Sequence, residues 1–181
     1  HFAVGRGASA IVGVLTMLLM VRVLNREDYG IYIALTAGFE ILQLLSSPGA
    51  YAVVFRYVPE AHSAGAVHAL ARLVRQTVLY RISTLSLVAV LVALSARPLS
   101  DVMGIEQHTT AIRIYAFVLA FEGFARFVDC HFESTLMQGY AQISVLARNG
   151  AKLLALMIVG RFGERTVTIE DWLYLETATS F

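Results

Sequence analysis

The chain reads as an all-α, polytopic integral membrane bundle, and three observations predict that class. Five apolar stretches of near-spanning length recur in its 181 residues, at 8–24, 29–47, 77–95, 111–127 and 141–159. Only 15% of the residues are charged, against ~25% in a soluble domain, and mean hydropathy is +0.67. The connections are short and carry most of the arginines. A helix rising ~1.5 Å per residue needs ~20 mostly apolar residues to cross ~30 Å of hydrocarbon. Five such stretches in succession identify the bilayer as the solvent.

The first stretch follows Arg6 and is rich in small residues (Gly5, Gly7, Ala8, Ser9, Ala10, Gly13), which predicts close backbone approach to a partner helix. No small-residue cleavage pattern follows Leu24, so it is not read as a signal peptide. Asn25, Arg26, Glu27 and Asp28 form a four-residue connection, predicting a tight hairpin with the second stretch. The connection at 48–76 carries Arg56, Arg72 and Arg75, with Arg81 just inside the third stretch. Within it, Val67, Leu70, Ala71, Leu73 and Val74 follow helical spacing. Two readings stay open there, an amphipathic helix lying at the interface or an extension of the third span. The connection at 97–110 sets Arg97 against Asp101 and Glu106; the fourth is short, with Arg148 and Lys152 just inside the fifth stretch. Arginine and lysine near span ends are retained on the cytoplasmic side. The expected topology therefore has a cytoplasmic N-terminus, with Arg161 and Arg165 arguing mildly the other way. Apolar residues rise again from about 169, and there is no initiator methionine. The chain (1–181) is expected to be the front part of a longer membrane protein, cut inside a sixth span.

Ionisable residues inside spans are costly, ~2.5–3.5 kcal/mol at a helix centre, so each is a functional candidate. Thr36, Glu40, Gln43 and Ser47 recur at spacings of four, three and four and define one helical stripe. Lipid cannot satisfy that stripe. It faces either a hydrophilic lumen or neighbouring helices that it holds by polar contacts. Arg6, Ser9, Gly13 and Thr16 form a weaker stripe on the first span. Glu122, Arg126, Asp129 and Glu133 repeat the four-three-four spacing, where Glu122 and Arg126 are placed to pair along one helix. Ser144, Arg148 and Lys152 share a face of the fifth span. Snorkelling to the inner interface explains most of that face; attraction of an anionic substrate is the sharper alternative.

No catalytic constellation appears. Cys130 is the only cysteine, so no internal disulfide forms. His1, His62, His68, His108 and His131 lack metal-ligand spacing, and there is no glycine-rich loop leading to Lys-Ser/Thr. A net charge of +1 offers no case for nucleic acid. No cofactor is expected, and transport is favoured over enzymatic chemistry.

The segment Arg22-Val23-Leu24-Asn25-Arg26-Glu27-Asp28-Tyr29-Gly30 resembles the outer hairpin of polysaccharide/oligosaccharide flippases. These belong to the multidrug/oligosaccharidyl-lipid/polysaccharide exporter superfamily. In that family the first span typically ends Arg-x-Leu-Gly-Pro-Glu-Glu-Tyr/Phe-Gly; here Asn25 and Arg26 replace Gly-Pro. The stretch Gly49 to Glu60, with Arg56, Tyr57 and Pro59, resembles a second family segment, and Glu133 to Tyr140 a third, looser one. The resemblance implies two pseudosymmetric halves around a cavity open alternately to each side of the bacterial inner membrane. It implies a cargo of undecaprenyl-pyrophosphate-linked sugar, with a polysaccharide polymerase and glycosyltransferases as working partners. Arginine suits a pyrophosphate because its planar fork engages phosphate bidentately. Arg6, Arg56 and Arg148 are the candidates by depth and side, and Thr36, Glu40 and Gln43 complete the expected substrate pathway. Three alternatives remain: an ion-coupled drug or metabolite exporter using Glu40 as its coupling carboxylate, a membrane-embedded polysaccharide ligase or polymerase, and a non-transporting scaffold subunit, which would leave the Glu40 stripe unexplained.

Overall fold

The computed structural model describes residues 2–162 and 167–179, with side chains over 7–159 and 167–179. His1 and Arg165, and the side chains of Arg6 and Arg161, lie outside the described residues. Among the described residues every element is helical. The order is α1 (Phe2–Val23), α2 (Arg26–Leu45), α3 (Ala50–Ser63), α4 (Val67–Leu94), α5 (Ala96–Met103), α6 (Thr109–Ser134), α7 (Gln138–Phe162) and α8 (Ile169–Thr179), with a 3₁₀ turn at Glu106–His108 leading into α6.

The hairpin between α1 and α2 is built from local chemistry. Asn25 caps α2: its side-chain oxygen accepts from the Asp28 amide at 2.8 Å while its amide nitrogen donates to the Asp28 carboxylate at 3.0 Å. This reciprocal arrangement satisfies the free N–H groups of the first turn, and Glu27 and Asp28 meet the positive end of the helix dipole. The expected packing of the two helices is nonetheless corrected. α1 lies mainly along α7 and touches α2 only sparingly. Nor do Gly7 and Gly13 mark the contact, because a Cβ at either would meet nothing within 4 Å. The α1 face bearing Ile11, Val14, Leu18 and Val21 is exposed, the side a bilayer would solvate.

The connection at 48–76 is not a loop. Pro48 lacks a backbone donor and cannot continue α2, Gly49 takes a left-handed φ of 74°, and α3 leaves at 57° to α2. Residues 67–76 are the first turns of α4, so the reading as an extension of the third span is the one observed. At 28 residues α4 is about 42 Å long, longer than the hydrocarbon, and α3 packs on it. Ala50, Val54, Val58, Phe127 and Cys130 form a small core between α3, α4 and α6, with Leu70 and Leu73 at its margin.

α6 is the centre of the bundle. Ala111, Ile112, Tyr115, Val118 and Leu119 are buried on nearly every side, and α6 contacts each of α2 to α5, α7 and α8. Phe39 of α2 meets Tyr115 edge to face at 6.3 Å, and Tyr32 meets Trp172 of α8 at 6.2 Å. By length and apolarity α4 and α7 qualify as spans, and the bent α2–α3 pair adds a third. The difference from five lies in α1 and α6. The described apolar part of α1 is short, and α6 carries Arg113, Glu122, Arg126 and Asp129. Because α6 is wrapped by other helices, Glu122, Arg126 and Asp129 meet protein partners, while Arg113 near the start of α6 is exposed.

A candidate polar site among α2, α3, α6, α7 and α8

The charged residues of α6 and α7 join across an antiparallel contact. Arg148 donates to Asp129 at 2.5 Å and to the Ser144 hydroxyl at 2.7 Å. Lys152, one turn further along α7, lies 3.6 Å from Glu122, two turns back along α6. Lys152 also binds Glu176 of α8 at 3.0 Å, and the Tyr32 hydroxyl donates to the same Glu176 oxygen at 3.2 Å. On the other flank Arg126 binds Glu40 of α2 at 2.9 Å and Glu122 at 3.5 Å, with its guanidinium 4.8 Å above the Phe39 ring. Four carboxylates and three cations thus tie α2, α6, α7 and α8 together. At membrane depth such pairing removes most of the desolvation penalty of each charge, and losing one partner strands the other.

A separate polar centre sits at the α2–α3 break. Arg81, fully buried, donates to the Ser46 carbonyl at 2.9 Å, to the Ser46 hydroxyl at 3.0 Å and to the Gln43 side chain. Ser46 is the C-cap of α2, so the guanidinium meets the negative end of that helix. It also lies against the rings of Tyr51 (5.7 Å) and Phe127 (6.0 Å), and no carboxylate among the described residues pairs with it. Gly123 makes room for Gln43, since a Cβ there would collide with the amide and lie 2.9 Å from Leu85.

The six residues expected from sequence are distributed unevenly. Arg148 and Glu40 join the charged network, directly and through Arg126. Gln43 is buried in the Arg81 centre. Thr36 is half-buried, donates to the Tyr32 carbonyl at 2.9 Å and lines a cavity with Lys152 and Glu176. Arg56 stands exposed on α3, its guanidinium 5.3 Å over the Tyr57 ring and in no ion pair among the described residues. Arg6 has no described side chain. The proposed single stripe is therefore split: the buried ridge of α2 is Ile31, Leu35, Phe39 and Gln43, and Glu40, one residue on, turns outward to Arg126. Sequence reasoning missed Glu176 and underread Arg81. The signal for Arg81 was present, an arginine inside an apolar run (Leu79, Tyr80, Ile82).

Two further cavities border the network. One of about 480 Å³ opens between Tyr51 and Phe55 of α3, Glu122 to Glu133 of α6, and Arg148 and Asn149 of α7. The other, about 820 Å³ and mostly apolar, runs along α6, α7 and α8 and shares Arg148. Among the described residues no His/Cys/Asp/Glu group is placed to hold a metal.

Comparison with known proteins yields a family match. The family model described as "Polysaccharide biosynthesis protein" matches residues 2–169. No curated protein and no solved structure matches the chain significantly.

Proposed function

Because the chain belongs to the polysaccharide biosynthesis protein family, we propose that it flips a lipid-linked oligosaccharide, an undecaprenyl-pyrophosphate-linked repeat unit, across the bacterial inner membrane. The family match over residues 2–169 carries the reading. In this reading α1, α2, α4, α6 and α7 each cross the bilayer, α8 begins a sixth crossing, and the N-terminus is cytoplasmic. The described part then supplies most of one half of a two-half transporter. The pathway runs past Arg6, Thr36, Glu40, Gln43, Arg56 and Arg148, and the product passes to a polymerase served by glycosyltransferases.

The geometry supports a division of labour along that pathway. Arg56 offers a guanidinium in no ion pair among the described residues, at the end bearing Arg72 and Arg75, where an anionic headgroup approaching from the cytoplasm would first meet positive charge. The exporter reading requires Glu40 to release Arg126 before it can carry a coupling ion, since that contact is already made at 2.9 Å.

The test is genetic and chemical. Loss of the full-length protein should abolish surface polysaccharide and leave lipid-linked units in the inner leaflet; loss of a ligase or polymerase would leave single units outside. Replacing Arg56 with alanine should cut surface polysaccharide roughly ten- to a hundredfold at matched membrane abundance, the worth of one charge-assisted contact. Arg56→Lys should restore it in part. Single repeat units displayed outside the null strain would overturn the flippase reading, and wild-type export by the alanine variant would remove Arg56 from the pathway.

A further inference from the structure

The cavity between α3, α6 and α7 has an inventory of free and occupied groups that points to its ligand. Its two arginines are spent: Arg126 is held by Glu40 and Glu122, and Arg148 by Asp129 and Ser144. Asp129, Glu133 and Asn149 keep acceptor capacity. Asp129 is 7% exposed and lends one oxygen to Arg148, while its other oxygen, Oδ1, is buried with no hydrogen-bond partner. A buried unpartnered acceptor costs as much as a lost hydrogen bond, so it marks a place where a donor belongs. The Asn149 amide and the Glu133 carboxylate border the same space and carry no side-chain hydrogen bond among the described residues. Opposite them stand the rings of Tyr51 and Phe55 on α3, with Phe55 51% exposed.

We infer that this cavity is a saccharide subsite, holding a neutral or amine-bearing sugar of the cargo and excluding its phosphate; the inference rests on the flippase reading. The carboxylates of Asp129 and Glu133, beside arginines that are already paired, would repel an entering phosphate. The same carboxylates and the Asn149 amide suit sugar hydroxyls, which donate and accept, or a sugar ammonium. Aromatic faces, electron-rich at their centres, suit the partially positive C–H face of a pyranose or an ammonium. A volume of about 480 Å³ falls within the ~300–1,000 Å³ of small-molecule sites. Arg148 acts here as a positioning residue: it fixes Asp129 at the cavity wall. The anionic headgroup is left to the exposed arginines of α3 and α4, so cargo is read at two separate places.

The experiment uses the full-length protein in nanodiscs, with Cys130→Ser and Val145→Cys placing one thiol on the cavity wall. Alkylation by a small methanethiosulfonate is timed with glucose, glucosamine, N-acetylglucosamine, galactose or inorganic pyrophosphate present at millimolar concentrations. At least one sugar should slow labelling threefold or more, and pyrophosphate should not. Asn149→Ala and Phe55→Leu, neither of which touches the ion pairs, should each abolish protection while leaving the unprotected rate unchanged. Asp129→Asn should weaken protection most for glucosamine. Absence of protection by every sugar, protection by pyrophosphate alone, or sugar protection that survives both Asn149→Ala and Phe55→Leu would overturn the proposal. Because the null-strain experiment is independent of this one, the flippase reading can stand while the subsite falls.

Discussion

Replacing Arg81 with alanine tests what holds the broken helix together. Three donor contacts disappear, to the Ser46 carbonyl, the Ser46 hydroxyl and the Gln43 amide, and each such charged bond is worth ~1.5–3 kcal/mol. Against that gross loss stands the relief of no longer burying a guanidinium without a carboxylate, several kcal/mol. The net expected is about 3 kcal/mol, or roughly 150-fold in the local opening equilibrium. Cys130 reports that opening. It is the sole cysteine, it is buried, and it shares the α3–α4–α6 core with Phe127, whose ring lies 6.0 Å from the Arg81 guanidinium. Its alkylation by a fluorogenic maleimide scales with how often that core opens. Arg81→Ala should accelerate alkylation about 150-fold. Arg81→Lys should fall between, since an ammonium keeps the charge but lacks the fork that reaches Ser46 and Gln43 together. Folded Arg81→Ala protein with a Cys130 rate within threefold of wild type would refute the reasoning, and the α2–α3 break would need another support.

Gly123→Ala should destabilise the bundle by about 1–3 kcal/mol, because the added methyl displaces Gln43 from Arg81; a thermal midpoint unchanged by the substitution would show that Gln43 can move without cost. For topology, single cysteines at positions 72, 75 and 27 in a Cys130→Ser background should divide, with only position 27, exposed beside the buried Asp28, labelled by an impermeant maleimide on whole cells. Labelling at 72 but not at 27 would invert the orientation.

What the sequence disclosed follows the reach of each interaction. The turn at Asn25 and the rise of helix from about Ile169 were legible because their causes lie within a few residues, although α2 already begins at Arg26, inside the connection read at 25–28. The Glu122–Arg126 pair was legible for the same reason, at one helical turn. The first ten residues of α4, ahead of its apolar stretch, were legible as helix from their spacing, but hydropathy, which ends where the chain becomes polar, left open whether they continued the span. Glu40 was misplaced because a four-three-four spacing describes a stripe about as wide as the helix face itself, so one member can lie at its edge. Lys152 with Glu176, and Arg81 with Ser46, join residues 24 and 35 apart in sequence. One chain without its partners gives no sign of such pairings, and Arg81 passed for a flanking charge.

The position of α6 bears on how the protein is made. In the proposed topology α6 reaches the membrane before α7 and α8 exist, with Glu122 and Asp129 still lacking the Lys152 and Arg148 that later meet them. Each such charge costs ~2.5–3.5 kcal/mol in lipid when alone, so α6 is a poor independent inserter. It must wait in the translocation channel, or against α2 through Glu40 and Arg126, until Arg148 and Lys152 emerge some 20 to 30 residues later. The charges that organise the finished bundle therefore also set an order of assembly. Nascent chains stalled before α7 would hold stranded carboxylates, which makes them natural targets for membrane quality-control proteases.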